Sequence, residues 1–343
     1  MNIYDNSKYV SEIKKFSNLI DLSFLNGKTI FVAGASGLIG SYFIDTILAN
    51  KKQNTVILAL VYTERDLLRF TEDPRLILIK GDVRDAEVFK SIDTKIDFVI
   101  NAASIVDPKG YKEHPIDTMT INIYGTKNLL DLCVKNRAKF LLLSSCEIYG
   151  ESDCELIDEN YCGKLDSMDV RSCYNESKRT CETLSVSYGV EKNIDVRVAR
   201  LSRSFGPTQS PFDTKALSQF IKNGILGENI ILKSSGTQLF SYTYVQDIVS
   251  GLITILKSGK SLNAYNVSNE EKLHLKDVAN IVAIHSGTSV VFDLNKDEFS
   301  SGYSKASLAI QSPKKLKQLG WVPRISLKDG ICNTMDILKE LYY

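Results

Sequence analysis

Apolar residues in this chain come in short runs that alternate with stretches of helical periodicity. Lys28-Thr-Ile-Phe-Val-Ala33 is β-branched and aromatic, ends on glycine, and predicts a buried strand. Ile39 to Ala49 then carries apolar residues at helical spacing, and Thr55 to Val61 is a second continuous apolar run, which makes a β-α-β unit. Further strand-like runs fall at Leu76 to Ile79, Phe98 to Asn101, Lys139 to Leu143 and Asp195 to Leu201, with helical stretches at Thr120 to Lys135 and Tyr174 to Val190. Strands alternating with helices predict an α/β fold with a parallel, doubly wound sheet of the Rossmann type.

Gly206-Pro207 ends that pattern. Beyond it the segments are shorter, turn glycines recur, and Pro313 is placed to open a final helix. The chain divides into an N-terminal helical extension over 1–27, a dinucleotide-binding Rossmann domain over 28–205, and a smaller C-terminal α+β lobe over 206–343 that mainly binds substrate. Part of 237–262 is expected to return to the Rossmann domain.

Composition removes several functions. The 343 residues hold 42 Lys+Arg against 41 Asp+Glu, a formal net charge of +1, so no broad field attracts nucleic acid or an anionic membrane. No apolar run approaches the roughly 18 to 20 residues of a membrane span. Met1 to Ile20 lacks the uninterrupted apolar core of a secretory signal. Seven cysteines show neither a zinc spacing nor a disulfide framework, so a reduced, cytoplasmic protein without a metal site is expected.

Chemistry enters at the first turn. Gly34-Ala-Ser36-Gly37-Leu38-Ile39-Gly40 joins the first strand to the first helix of the β-α-β unit, where glycines let backbone amides reach a pyrophosphate and the helix N-terminus favours the anion. At the end of the second strand, Val61-Tyr-Thr-Glu64-Arg65 places no acid at the strand end itself. Arg65 would meet a 2′-phosphate and Glu64 would reach the ribose, which leaves NADP slightly favoured over NAD. Asp82, with Val83 beside it, follows the third strand and is in line to touch adenine.

Tyr174 and Lys178 lie four apart on one predicted helix and share a face. An ammonium beside a phenol favours the phenolate, which would make Tyr174 a general acid/base for a hydroxyl, and Lys178 would also hold the nicotinamide ribose. Ser145 ends a strand, where ligand-facing residues of open α/β sheets are found, and would hydrogen-bond the reacting oxygen. In extended chain Glu147 would point the same way as Ser145 and remove a proton from a carbon next to a ketone, while Cys146 faces elsewhere.

These motifs, together with Asn101-Ala102-Ala103 and Asn122-x-x-Gly-Thr126, resemble the extended short-chain dehydrogenase/reductases of the NAD-dependent nucleotide-sugar epimerase/dehydratase type. Arg171 to Arg179 and Val196 to Pro207 are most similar to UDP-glucuronate decarboxylases. The resemblance implies that Ala102, Ala103 and Asn122 line the cofactor, that a nucleoside-diphosphate sugar presents C4 to Tyr174, and that the protein is a homodimer joined through two long helices of each subunit. It also exposes departures: Phe240 stands where the family has a diphosphate-binding Arg, and Arg203 where it has Asn. Arg203 and Lys215 are the candidates to restore the lost positive charge.

Loss of that Arg argues against decarboxylation, and Cys146 in place of an acid argues against 4,6-dehydration. Subtraction therefore favours reduction of a 4-keto-6-deoxy nucleotide sugar, in surface polysaccharide precursor synthesis, over 4-epimerase, decarboxylase or dehydratase. A dinucleotide-sensing scaffold is the non-enzymatic alternative, and it has no need of Ser145, Tyr174 and Lys178.

Overall fold

The computed structural model describes residues 2–63, 73–152, 154–294 and 308–342. Its strands are β1 (Thr29–Ala33), β2 (Val56–Val61), β3 (Leu76–Lys80), β4 (Phe98–Asn101), β5 (Lys139–Ser145), β6 (Val196–Leu201), β7 (Arg203–Phe205), β8 (Ile230–Leu232), β9 (Leu239–Phe240), β10 (Tyr242–Tyr244), β11 (Asn263–Val267), β12 (Leu273–His274), β13 (Val290–Phe292) and β14 (Leu308–Ala309). The helices are α1 (Ser7–Leu19), α2 (Leu38–Ala49), α3 (Glu87–Lys90), α4 (Pro108–Glu113), α5 (Pro115–Asn136), α6 (Ser172–Lys192), α7 (Ala216–Ile225), α8 (Val245–Ser258), α9 (Leu275–Ser286), α10 (Lys314–Lys317) and α11 (Leu327–Tyr342).

Seven parallel strands form the main sheet in the order β11-β6-β5-β4-β1-β2-β3. Alternation along β1 shows why both faces must be covered. Ile30 and Val32 enter one core with α2 and α8, whereas Phe31 and Ala33 enter the other with α5 and α6. The sheet is thus the doubly wound Rossmann architecture, and the strand order reverses between β4 and β1, where such sheets bind their ligands.

The segment around Tyr244 to Lys257 returns as helix α8 against α2 and β6, and the strand after it, β11, completes the sheet. Asn263-Ala-Tyr-Asn-Val has little strand propensity. It is held by tertiary partners: the buried Asn266 side chain accepts from Tyr149 Oη at 2.6 Å and donates to the carbonyls of Ile157 and Ser312. Pro313 opens only the four-residue α10; the final helix starts at Leu327, because the turn at Gly320 and the loop through Pro323 intervene. Helix α5 begins earlier than its apolar periodicity indicates, with Pro115 in the first turn where its missing N–H costs nothing. Among the described residues no helix is long and apolar enough to cross a membrane.

Helix α1 is amphipathic, with Tyr9, Ile13 and Phe16 buried on α2. Glu12 accepts from the hydroxyls of Tyr42 at 2.8 Å and Tyr244 at 2.7 Å, which ties the N-terminal helix to α2 and to β10.

Asp247, buried in the first turn of α8, accepts from the backbone N–H groups of Arg324 and Ile325 at 2.9–3.0 Å and so pins the chain before α11. Burial raises its pKa from 3.8 to about 6 against those hydrogen bonds. A carboxyl whose folded pKa lies above its unfolded one stabilises fully below the unfolded value, and that contribution disappears as pH rises through the folded value. Between pH 3.8 and about 6, at about 1.4 kcal/mol per pH unit, Asp247 therefore removes up to about 3 kcal/mol. In urea titrations from pH 4 to 7, Asp247→Asn should show a smaller loss of stability with rising pH than the parent; parallel curves would refute the assignment.

Candidate active site

The glycine turn lies at the point where the strand order reverses. Gly34 has φ +73°, and a Cβ built there would sit 2.5 Å from the carbonyl carbon and oxygen of Ala102, on the loop after β4. Gly40 would bring a Cβ to 2.3 Å from the Gly34 carbonyl oxygen. Glycine at these positions lets helix, turn and neighbouring strand close up. Gly37 caps α2 without a side-chain hydrogen bond, so the first-turn amides are not consumed by a cap. Ser36 is half-buried in this turn, and Leu38 and Ile39 turn inward onto the core. The geometry fits a pyrophosphate.

Steric and conformational costs separate at two glycines. Gly27 also has positive φ (+68°) but nothing within 4 Å of a built Cβ. Gly27→Ala should cost about 1 kcal/mol, whereas Gly34→Ala adds an overpacking cost of about 1–3 kcal/mol and weakens NAD binding. Equal urea midpoints and equal NAD affinities for the two variants would show that the Ala102 contact does not matter.

Asp82 is held by Arg84 at 2.6 Å, and Arg84 reaches Asp117 at 2.6 Å on α5; Val83 packs against Gly125. The Asp82 and Arg84 side chains are both half-buried, and the hydrogen bond from Arg84 lowers the Asp82 pKa. Arg65 and Glu64, on which the preference for NADP rested, lie outside the described residues. Ala102 and Ala103 follow β4 at the same crevice, with Ala103 N donating to Asn101 Oδ1 at 3.2 Å. Asn122 is buried between α5 and α6; its Nδ2 donates to Ser177 Oγ at 2.8 Å and its Oδ1 has no protein partner.

The end of β5 and the first turn of α6 bring Ser145, Tyr174 and Lys178 together. The Ser145 side chain lies beside the Tyr174 phenol, where it acts to lower the phenol's pKa, and Lys178 Nζ lies 5.8 Å from the Tyr174 ring centroid. The chain does not stay extended past β5: Cys146–Tyr149 is a 3₁₀ turn, capped by Ser145 Oγ accepting from Glu147 N at 3.2 Å. Simple alternation therefore does not apply, and Cys146, expected to face away, sits next to Ser145 and Tyr174, with burial pushing its thiol up to about 11.

A second expectation also fails in this geometry. Lys178 was to make the Tyr174 phenol more acidic, yet burial pushes the phenol far above its usual range, with Ser145 and Arg171 acting in the opposite direction. Lys178 is itself buried, which lowers its pKa, and its ammonium donates to the Leu143 carbonyl at 3.0 Å. Its charge is thus directed at the backbone.

Glu147 is held by two guanidinium groups, Arg171 at 3.0 Å and Arg203 at 3.5 Å. Arg203 lies 3.6 Å over the Phe240 ring and has a buried Nη1 without a partner among the described residues. Strand β7 pairs with β10, just after Phe240, so an arginine at 203 brings its charge to the place where Phe240 has none. Lys215, by contrast, is paired with Asp213 at 2.6 Å at the start of α7. The sequence gives no local signal for Arg171 or Tyr111. The Arg171 guanidinium sits 4.6 Å over the Tyr111 ring, and Tyr111 stacks on Tyr174 at 4.8 Å and 27°.

Fold and site together define a dinucleotide-binding enzyme of the Rossmann class. The sequence profile of the NAD dependent epimerase/dehydratase family matches residues 30–268, and the chain belongs to that family. It is 29% identical over 304 residues to UDP-glucuronic acid decarboxylase 3 of Arabidopsis thaliana, covering 88% of this chain and 86% of that protein. Its fold matches the UDP-glucose 4-epimerase of Thermotoga maritima (TM-score 0.80, 19% identity, 92% and 100% of the two chains). The dTDP-glucose 4,6-dehydratase of Streptomyces venezuelae is similar as well (TM-score 0.79, 23% identity, 91% and 97%).

Proposed function

We propose that the chain oxidises C4 of a nucleoside-diphosphate sugar, and that this sugar is a hexuronate that loses CO2. The observation that carries the first half is the convergence of Ser145 and Lys178 on the Tyr174 phenol at the open end of the sheet. When bound, NAD supplies the acceptor for the C4 hydride and its later return. Tyr174 takes the C4 hydroxyl proton, Ser145 hydrogen-bonds that oxygen, and Lys178 holds the ribose side. Gly34, Ser36, Gly37, Leu38, Ile39 and Gly40 cradle the pyrophosphate, with Asp82, Val83, Ala102, Ala103 and Asn122 along the rest of the dinucleotide.

Arg203 supports the second half. Decarboxylation was disfavoured because Phe240 removes a cation, but the guanidinium of Arg203 lies over that ring with a buried N–H unpartnered among the described residues. It is the partner a sugar carboxylate needs. Once C4 is a ketone, the C5–carboxyl bond breaks, its electron pair passes into the C5–C4–O enolate, and C5 gains a proton in exchange for CO2. The uridine base is carried over from relatives whose names are UDP-glucuronic acid decarboxylases.

The test is incubation of the purified protein with NAD and UDP-glucuronate, followed by mass spectrometry and by absorbance of reduced nicotinamide. Loss of CO2 supports the whole reading. Reduced cofactor without CO2 loss leaves C4 oxidation and removes the uronate assignment; stoichiometric NADPH consumption by a 4-keto-6-deoxy nucleotide sugar would establish the reductase instead. The protein acts in the cytoplasm as a homodimer on this reading, joined through the outer faces of α5 and α6, where Tyr124, Val134, Val186 and Val190 are exposed.

A further inference from the structure

Arg171 stands at the start of α6, three residues before Tyr174, and its side chain is largely buried. Nη2 meets Glu147 at 3.0 Å and Nη1 donates to Asn175 Oδ1 at 2.5 Å, while Nε is buried with no partner among the described residues. The flat face of the group lies on Tyr111, which comes from a different segment, α4, and is 5% exposed. The Tyr174 ring stacks on the same Tyr111 ring at 4.8 Å and 27°. Ordinary core packing would place an apolar residue over Tyr111. A guanidinium there, sharing its one carboxylate with Arg203 and leaving an N–H unpaired, needs another reason.

We propose that Arg171 and Tyr111 form a positioning unit for Tyr174, in which the guanidinium clamps Tyr111 against the Tyr174 ring and so keeps the phenol on Ser145. Arg171 touches no reacting atom; it acts through the stacked ring. Tyr111 makes both a cation–π contact with Arg171 and a stacked aromatic pair with Tyr174, and both contacts fix orientation as well as distance. The ionisable groups facing the unit are Glu147 and Cys146 after β5, Cys173 and Lys178 on α6, and Asp107 at the start of α4. Of these Glu147 and Cys146 oppose ionisation of the phenol, while Arg171 within the unit favours it. The inference rests on Tyr174 being the proton-transfer group, and one of its tests does not need the substrate.

That test is nitration of the full-length protein with tetranitromethane, mapped by mass spectrometry. Arg171→Met should raise Tyr174 nitration by roughly three- to thirtyfold, the range that loss of a cation–π contact corresponds to. Arg171→Lys should recover part of the protection and Tyr111→Phe should keep all of it. Tyr111→Leu, which removes the ring but retains apolar volume, serves if Arg171→Met does not fold. Wild-type nitration of Tyr174 in both Arg171→Met and Tyr111→Leu would overturn the proposal.

A second readout is the pH profile of cofactor reduction by UDP-glucuronate. Arg171→Met should move the rising limb to higher pH, and an unmoved limb with unchanged rate would also overturn it. Absence of both CO2 release and transient cofactor reduction in the wild-type protein would count against the proposed reaction, and the nitration result would still decide the role of Arg171.

Discussion

Tyr174→Phe should lower kcat by roughly 10²- to 10⁴-fold, the usual worth of a positioned general acid/base, while the dinucleotide stays bound. The ring survives the substitution, so the stack on Tyr111 and the packing against Cys173 remain. Only the hydroxyl that meets Ser145 is removed. Reduced cofactor measured in a single turnover isolates the proton-coupled step from product release. Turnover within a few-fold of wild type would remove Tyr174 from the chemistry and return the non-catalytic scaffold to the front. Ser145→Ala should act in the same direction with a smaller loss, because it leaves the proton acceptor in place.

The parts of this molecule that were legible in sequence are those governed by local rules. The apolar runs of β1, β2, β4 and β5 are buried on both faces, and continuous apolar runs are what that environment demands. The glycine turn was readable because a glycine-rich step from strand to helix has one physical use, and Tyr174 with Lys178 because helical spacing sets their common face. Strand β11 was missed because its stability resides in Asn266 bonding to Tyr149, Ile157 and Ser312, all far away in sequence. Glu147 was placed by an alternation that the 3₁₀ turn at Cys146 interrupts. The Arg203 swap across β7 and β10 shows the same limit, since Phe240 reads as a loss until the paired strand brings another cation over it.

Strand β5, which carries Ser145, also depends on a charge pair directly behind it, and removing one member of that pair should cost a large share of the protein's stability. Arg200 on β6 meets Glu182 on α6 through Nη2 at 2.8 Å and Nε at 3.1–3.2 Å, and Ser144 Oγ, adjacent to Ser145, donates to the same carboxylate at 2.6 Å. The guanidinium is completed by Tyr149 Oη at 3.1 Å and the Glu159 carbonyl at 2.7 Å. Both side chains are about nine-tenths covered or slightly less, at 14% and 13% exposure, so removing one leaves the other charged in a low-dielectric setting. Glu182→Leu should therefore destabilise the protein by about 3–5 kcal/mol, whereas Glu182→Leu with Arg200→Met should recover much of that, because an apolar pair carries no desolvation cost. Urea unfolding of the two single variants and the double variant closes the cycle. If the double variant is less stable than either single one, the pair contributes net stability through its hydrogen bonds, and the unpaired-charge account of this network is wrong.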